Sequence, residues 1–351
     1  MSKTRLQKIN TLLGKMNSPP YRLNQIKDAI YKSGIEEYSE IKVLPQKIRH
    51  ALSRNLGNQI LTLKSLHEIK GGQAHKVLFE TADKQKIETV RMLFRPSSAR
   101  DAFHSSLCIS SQSGCALACK FCATGAIGFK KNLTADEIVD QVLHFKKRRL
   151  SVNSVSFMGM GEPLANPNIW DSLEILSDPK QIGISRHKIS VSTVGIIPGI
   201  EKLIEEYPQV NLAFSLHSPF ENQRRQIMPI SKAYPIKAVM KYVRKYVETT
   251  NNKIFIAYAL IQGINDSIDH SKALVDLIKS QGSSRYLYHV NLIRFNPAPV
   301  IKDFKRPERN TVNAFMKIIS NSGLNVTLRQ SFGLDIYAAC GQLYGKENSV
   351  F

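Results

Sequence analysis

Long apolar runs are missing from this 351-residue sequence, and none approaches the roughly 18–20 residues that a membrane-spanning helix needs. The first ten residues, MSKTRLQKIN, also lack the apolar core of a signal peptide. We therefore expect a cytoplasmic protein with reduced thiols. Short-period repeats and low-complexity tracts are absent as well, so nothing in the sequence indicates a solenoid or a disordered chain.

Acidic residues are scarce. The sequence has 28 Asp and Glu against 49 Lys and Arg, which gives a formal net charge of +21. Such an excess favours a polyanionic partner such as RNA, DNA or an anionic membrane surface. The alternative is a solvated basic surface without a partner. The hydrophobic content of 42% is ordinary and allows a sizeable core.

Cysteine is also rare. Only five cysteines occur, and four of them lie within residues 107–125. This odd, clustered set does not fit a disulfide scaffold, and in a reducing compartment a close cluster indicates metal or redox chemistry. Three of the four, Cys115, Cys119 and Cys122, have C-x₃-C-x₂-C spacing.

The spacing of these three thiols admits two kinds of metal site. A structural zinc ion takes four protein ligands, and Cys108 or His104 is a candidate for the fourth. A [4Fe–4S] cluster held by three thiolates leaves one iron without a protein ligand, and that iron is open to a substrate or cofactor. The spacing favours the cluster, because zinc sites usually pair their cysteines.

Residues 1–95 are predicted to form a helical accessory domain with a β-hairpin. Residues 18–34 place apolar side chains on one helical face, between prolines at the start and a glycine at the end. Residues 76–94 alternate between apolar and polar, turn at 82–84 and alternate again, as a hairpin does.

From about residue 105 onward, short apolar runs alternate with helical stretches. The runs are LCISS, SVSFM, KISVS, VNLAFSL, IFIAYAL and YHVNLI. This alternation predicts parallel strands with helices outside them, one of which begins with a capping box at Thr134 and Glu137. Six units suffice for most of a barrel but not for a closed one. We predict an α/β fold with a partial (β/α)₆ barrel over residues 96–345, followed by a tail at 346–351.

Each unusual polar motif follows a predicted strand. The motifs are the cysteine loop, GMGE at 159–162, residues 193–195, His217 and RFNP at 294–297. In open and closed (β/α) folds the loops that follow parallel strands meet at one rim, where function collects. We therefore expect these motifs to share a site.

The sequence C-x₃-C-x-F-C, after the first barrel strand, resembles that of the radical S-adenosylmethionine (radical SAM) superfamily. The resemblance implies a radical SAM partial barrel in which Cys115, Cys119 and Cys122 hold a [4Fe–4S] cluster whose open iron binds SAM. GMGE resembles the superfamily's glycine-rich loop, which receives the methionine amino group. Gly161 would allow close approach of the backbone, and Glu162 would supply an acceptor.

Six segments together resemble the RlmN/Cfr family of radical SAM ribosomal RNA methyltransferases over nearly the whole chain. They are SSQSGCALACKFCATGAIGFKKNLTADEIVDQV, FMGMGEPLANP, STVGIIPGI, VNLAFSLHSP, HVNLIRFNP and DIYAACGQLYG. The resemblance implies methylation of one adenosine in the peptidyl-transferase region of 23S rRNA, at carbon 2 by RlmN enzymes and at carbon 8 by Cfr enzymes. It also implies that the accessory domain contacts RNA. We expect a naked or partly assembled rRNA substrate, because the base must leave its stack.

The same resemblance assigns two further cysteines and a carboxylate. Cys340 accepts a methyl group from one SAM, a second SAM is cleaved reductively at the cluster, and the activated methyl adds to the adenine ring. Glu88 removes the ring proton, and Cys108 forms a transient disulfide with Cys340 that releases the RNA. Each turnover then consumes two SAM molecules. The alternative for each of these two cysteines is a structural role as a buried small hydrophobic residue, which is the more common role of a free cysteine.

Five residues match family positions that contact SAM. They are Ser192, Ser215, Leu216, His217 and Asn296. Alternatively, the histidine is a loop residue with satisfied hydrogen bonds and the asparagine a turn residue before proline. The resemblance further implies a small electron-donor protein such as a flavodoxin or ferredoxin and no membrane partner, and we expect a monomer.

The subtype within the family follows from a few positions. Arg294–Phe295 and the segments GFKKNLT and STVGIIP favour the Cfr type. Pro163 is typical of RlmN, and Tyr337 replaces an acidic residue that both groups often carry. We predict carbon-8 methylation and resistance to antibiotics that bind the peptidyl-transferase centre. The alternatives are carbon-2 methylation of the same adenosine (and of tRNA), a radical enzyme acting on a small molecule or peptide, and a non-catalytic, zinc-stapled RNA-binding protein.

Overall fold

Three amphipathic helices open the chain in the computed structural model, which describes residues 3–94 and 103–345. Thr4 caps the first helix: its hydroxyl accepts the Gln7 amide, and its own amide donates to the Gln7 side chain at 2.8 Å. The helix predicted at 18–34 is present but shorter, because Pro20 stands immediately before its first turn and it ends at Tyr31. The helices are α1 (Arg5–Lys15), α2 (Tyr21–Tyr31) and α3 (Gln46–Leu56).

Three antiparallel strands follow, namely β1 (Lys64–Gly71), β2 (Ala74–Glu80) and β3 (Lys86–Phe94). β2 and β3 form the predicted hairpin, with Leu78 opposite Glu88 and a left-handed φ of 62° at Lys84 in the turn. The sequence pattern does not predict β1. Its sequence, KSLHEIKG, lies at the sheet edge, where its side chains stay exposed or half-buried and show no clean alternation.

The barrel strands continue this sheet. In chain order the remaining strands are β4 (His104–Cys108), β5 (Gln112–Ser113), β6 (Lys131–Asn132), β7 (Ser154–Phe157), β8 (Ile189–Thr193), β9 (Asn211–Ser215), β10 (Ile254–Leu260), β11 (Tyr288–Arg294) and β12 (Asn325–Leu328). β10 agrees with its prediction residue for residue. The strand predicted at 107–111 both begins and ends three residues earlier, and the polar residues that open β4 conceal its start.

Within the described residues the main sheet has ten strands in the order β1-β2-β3-β4-β7-β8-β9-β10-β11-β12, and β5 pairs with β6 separately. β4 pairs antiparallel with β3, which places Val90 opposite Cys108, and parallel with β7. All later neighbours are parallel. The end strands are β1 and β12, so the sheet stays open, and the predicted partial barrel is confirmed with one additional parallel strand, β12.

Helices follow the cysteine loop and the barrel strands. They are α4 (Ala123–Ile127), α5 (Ala135–Lys147), α6 (Ile169–Ser177), α7 (Ile197–Glu206), α8 (Glu221–Ile227), α9 (Ile236–Thr250), α10 (Ile268–Lys279) and α11 (Arg309–Asn321). α5 begins with the predicted capping box, in which Thr134 and Glu137 exchange side chain-to-amide hydrogen bonds of 2.8 and 3.2 Å. Among the described helices, none is both long enough and apolar enough to cross a membrane.

A buried ion pair joins the accessory helices to the barrel. Arg5 Nη2 lies 2.7 Å from both carboxylate oxygens of Asp140, and the two side chains are 3% and 0% exposed. Thr62 donates its amide to the same carboxylate at 2.7 Å. Accessory and barrel residues also belong to one continuous apolar core. The predicted boundary between residues 95 and 96 and the predicted tail at 346–351 lie outside the described residues.

We expect Arg5→Met to lower the free energy of unfolding by about 3 kcal/mol, because it leaves Asp140 as a buried charge without its partner. Urea denaturation measures this loss. Lys32→Met is the matched control, since it removes an exposed ion pair with Asp28 of equal length, 2.7 Å, and exposed pairs contribute little. Equal losses in the two variants would contradict the structural role of the Arg5 pair.

Candidate active site

A cleft opens at the carboxyl ends of the barrel strands. It encloses about 1180 Å³ of space between atoms, a figure that includes the open solvent at its mouth. Ten of the predicted site residues line it: Cys115, Cys119, Cys122, Gly161, Glu162, Ser192, Ser215, His217, Asn296 and Cys340. The expectation that the post-strand loops meet at one site is therefore met by the geometry.

The cysteine loop is fixed by its backbone. The backbone amide of Cys115 donates to the Gly128 carbonyl at 3.2 Å, and the backbone amide of Lys120 donates to the Ile227 carbonyl at 3.0 Å. Gly114 has a left-handed φ of 69°, and a Cβ there would lie 1.8 Å from the Gly128 oxygen. Only glycine fits that position. The short β5–β6 pair closes the base of the loop.

The three loop thiols are the soft donors that an iron–sulfur cluster takes as ligands. All three face the cleft and are half-buried. Burial, with a smaller contribution from neighbouring thiols, raises the pKa of Cys119 well above its ordinary value and that of Cys115 to about 12. Within the described residues no three His, Cys, Asp or Glu side chains are placed to hold a single metal ion. A cubane binds each thiolate at a different iron corner, so its ligands need not converge on one point.

The glycine-rich loop packs against the chain itself. Gly161 has a φ of 95°, and a Cβ there would lie 2.5 Å from the Gln112 Cβ. Gln112 Oε1 also accepts the Glu162 amide at 2.9 Å. The close approach expected at Gly161 is therefore made in this structure to Gln112.

Glu162 is buried beside that glycine. Its carboxylate accepts the amides of Val194 at 3.0 Å and Leu164 at 3.2 Å. Burial raises the pKa of Glu162 to about 7, although these hydrogen bonds act in the opposite direction. The carboxylate thus ties the loop after β7 to the loop after β8 while it faces the cleft.

His217 is held in one orientation. Its φ is 58°, its Nδ1 accepts the Ala259 amide at 2.9 Å, and its carbonyl accepts Asn265 Nδ2 at 2.6 Å. Its ring packs edge-on against Phe121 with 4.8 Å between centroids. Burial, together with the Arg224 charge, lowers the pKa of His217 to about 3. The imidazole is therefore neutral, with its proton on Nε2 as a hydrogen-bond donor.

Three predicted residues do not line the cleft, namely Cys108, which lies in an adjoining cavity, Leu216 and Glu88. Leu216 is fully buried, and its carbonyl accepts Arg224 Nε at 3.0 Å. Glu88 is 1% exposed and forms an ion pair of 2.9 Å with Lys76. Lys76 is not predicted from the sequence, because its pairing with Glu88 depends on the diagonal register of β2 against β3.

Cys340 returns to the cleft on residues 337–345, which we call the C-terminal loop. Asn296 Nδ2 donates to the Cys340 carbonyl at 3.1 Å, and Ala123 donates its amide to the Gly341 carbonyl at 2.9 Å. The loop is therefore attached both to the segment after β11 and to the helix that follows the cysteine loop. Asn296, predicted as a SAM contact, also holds the backbone of Cys340.

Cys108 and Cys340 line a second cavity that adjoins the cleft. Both are free thiols, as are the other three cysteines. Desolvation by the surrounding protein raises the pKa of Cys108 to about 12 and also raises that of Cys340, although Cys340 is exposed as a residue. Arg329 lines both cavities, and its positive charge lowers the pKa of both cysteines. The sequence offers one signal for Arg329, its position directly after a barrel strand, but β12 is not predicted.

Comparison with known proteins agrees with this geometry. The family model of the Radical SAM superfamily matches residues 109–275. A crystal structure of a radical SAM methyltransferase from Sphaerobacter thermophilus superposes with a TM-score of 0.89 at 36% identity and covers 98% of each chain. The open barrel with its three-cysteine loop is thus that of a radical SAM enzyme, as the sequence predicts.

Nearly full-length relatives define the family. The ribosomal RNA large subunit methyltransferase Cfr of Staphylococcus aureus is 47% identical over 347 residues, which cover 98% of this chain and 97% of the relative. The protein of that name from Lachnoclostridium phytofermentans is 41% identical over 349 residues, covering 99% and 100%. The chain belongs to the Cfr family of radical SAM ribosomal RNA methyltransferases, and the predicted resemblance is confirmed.

We expect Gly161→Ala to destabilise the protein and to weaken SAM binding, because a methyl group at this φ collides with Gln112. Gly282→Ala is the matched control, since Gly282 has nearly the same φ, 90°, and no atom lies within 4 Å of the position a Cβ would take there. Thermal unfolding and equilibrium binding of SAM measure the two effects. A Gly282 variant as impaired as the Gly161 variant would show that backbone strain, and not the contact, is responsible.

Proposed function

We propose that this protein methylates carbon 8 of an adenosine in the peptidyl-transferase region of 23S rRNA through a methyl group carried on Cys340. The observation that supports it best is the return of Cys340, more than 200 residues after the cysteine loop, to the same cleft. The adenine ring carbon is electron-poor and has no acidic proton, so it is not the nucleophile that direct methyl transfer from SAM requires. A thiol that receives the methyl first avoids this difficulty.

Cys115, Cys119 and Cys122 would hold the [4Fe–4S] cluster. When bound, such a cluster supplies the electron that cleaves SAM and so permits a carbon–hydrogen bond to be broken. Ser192, Ser215, His217 and Asn296 line the same cleft and bind SAM. The neutral His217 contributes an Nε2–H donor, fixed in direction by the bond to its Nδ1.

Cys340 and Cys108 carry the covalent steps. The Cys340 thiolate attacks the methyl of one SAM, so a sulfur–carbon bond forms as the sulfonium–methyl bond breaks and S-adenosylhomocysteine leaves. After the carried carbon has joined the ring, the Cys108 thiolate attacks the Cys340 sulfur. A disulfide forms as the bond between the Cys340 sulfur and the transferred carbon breaks. The electron pair of that bond stays with the transferred carbon, which takes a proton and becomes the methyl group of the product. A thiol reductant then restores both cysteines. Their shared cavity supports this exchange.

Glu88 is the proposed acceptor of the ring proton. In the structure its Oε1 faces Lys76, and its Oε2 accepts the amides of Tyr344 and Gly345. Proton acceptance therefore requires the end of the C-terminal loop to move away from this carboxylate. Binding of the RNA is the event that would displace it.

The choice of carbon 8 is supported by the relatives and by the RFNP segment. The relatives described above carry the name Cfr, and Arg294–Phe295 is the pattern that favours that type. The net charge of +21 suits an RNA substrate, because phosphate contacts supply much of the affinity. A methyl group at this site would obstruct antibiotics that bind the peptidyl-transferase centre. We further propose a monomer that receives electrons from a flavodoxin or ferredoxin.

We expect 23S rRNA from cells that express the protein to contain 8-methyladenosine, detected by mass spectrometry of nuclease digests. Cys340→Ala abolishes the modification, because the methyl then has no carrier. Cys108→Ala, the matched control, leaves the carrier but blocks release, so covalent protein–RNA adducts accumulate. Detection of 2-methyladenosine alone would instead establish the carbon-2 alternative.

We expect anaerobically purified protein to contain roughly four iron and four sulfide per chain, as a single cubane requires. Cys119→Ala loses most of this iron, whereas Cys340→Ala retains it, because only the first is proposed as a ligand. Metal and sulfide analysis gives both numbers. Zinc without iron or sulfide would support the zinc-stapled alternative.

A further inference from the structure

One buried ion pair contacts both ends of the C-terminal loop. Lys76 Nζ lies 2.9 Å from Glu88 Oε1, and the side chains are 3% and 1% exposed. At one end of the loop Lys76 also donates to the Tyr337 carbonyl at 3.4 Å. At the other end Glu88 Oε2 accepts the amides of Tyr344 at 2.6 Å and Gly345 at 3.0 Å. The pair therefore holds the loop at its base.

The register of the hairpin places Lys76 and Glu88 next to each other on one face of the sheet. Lys76 stands opposite Val90 and Leu78 opposite Glu88, so Lys76 and Glu88 are diagonal neighbours on one face of β2 and β3. Two buried charges are tolerated when their remaining hydrogen-bonding capacity is also satisfied. The loop backbone satisfies it here, so the closed loop and the buried pair depend on each other.

Cys340 occupies the middle of the segment between these two anchored ends. Cys340 lines both cavities, and its carbonyl accepts a hydrogen bond from Asn296 Nδ2 at 3.1 Å. Inside the loop Ala339 and Gln342 exchange two hydrogen bonds of 3.0 Å, and the remaining restraints come from other parts of the chain, including the bond from Thr124 Oγ1 to the Leu343 carbonyl at 2.7 Å. Its anchors therefore decide how narrowly the sulfur is placed.

We propose that Lys76 and Glu88 are positioning residues, which clamp both ends of the C-terminal loop to the hairpin and so place the Cys340 sulfur at the cleft. The catalytic consequence rests on the proposed carrier role of Cys340. While the clamp is closed, the Glu88 carboxylate is occupied. Opening of the clamp releases the loop and frees the carboxylate together.

Hydrogen exchange of the full-length, anaerobically purified protein tests the clamp. Lys76→Met should accelerate exchange in peptides covering 338–345 by about tenfold, the effect of losing one charge-assisted hydrogen bond. Lys76→Arg should restore most of the protection. Arg5→Met is the matched control, because it breaks an equally buried ion pair whose hydrogen bonds do not involve the loop, and it should leave the exchange of 338–345 unchanged.

The proposal is overturned if Lys76→Met leaves exchange in 338–345 unchanged, or if Arg5→Met accelerates it equally. Should Lys76→Met fail to fold, Glu88→Gln takes its place, because it keeps the side-chain shape and removes the charge. Unchanged exchange in that variant would also overturn the proposal.

Intact mass after incubation with SAM reports methylation of Cys340 separately. A wild-type protein that exchanges as expected but never gains a methyl on Cys340 refutes the carrier role and leaves the clamp intact.

Discussion

Parallel strands place all their carboxyl ends at one edge of a sheet, and the candidate site depends on this constraint. The cysteine loop, the glycine-rich loop, His217 and Asn296 are each attached to a different strand, yet they line one cleft. The site is therefore assembled by the barrel and not by any local motif. Hydrogen bonds between successive loops, such as that from Val194 to Glu162, then fix the loops relative to one another.

The C-terminal loop closes this edge under a different constraint. It has no ladder to satisfy its backbone, so its amides and carbonyls find partners in other parts of the molecule. The hairpin supplies Glu88, α4 supplies the Ala123 amide, and the segment after β11 supplies Asn296. Each partner belongs to a part of the fold that also borders the cleft. The loop that carries Cys340 is consequently sensitive to the placement of all three.

Elements that can be recognised from a few neighbouring residues are predicted from the sequence. Elements that depend on their place in the folded sheet are not. The capping box at Thr134, the hairpin and the apolar run of β10 are each visible within a window of a few residues. β1 and β12 are not predicted, since they lie at the sheet edges, where half-exposed strands lose their alternation.

The site follows the same division. The three-cysteine loop and the strand-following motifs are identified from spacing and from family resemblance. Lys76 and Arg329 are not, because their importance comes from partners that lie far away in the chain. Leu216 and Glu88 are named by the resemblance, but burial and pairing keep both out of the cleft lining.

Burial also determines where the basic surplus lies. Among the described residues, the Lys, Arg, Asp and Glu side chains that are buried comprise four cations and five carboxylates. Most are engaged in short contacts such as those of Arg5 with Asp140 and Lys76 with Glu88. The interior is thus nearly balanced, as the cost of burying an unpaired charge requires. Among the described residues the positive excess is therefore carried by side chains outside this buried set, where contact with an RNA backbone would release the counterions condensed on that RNA.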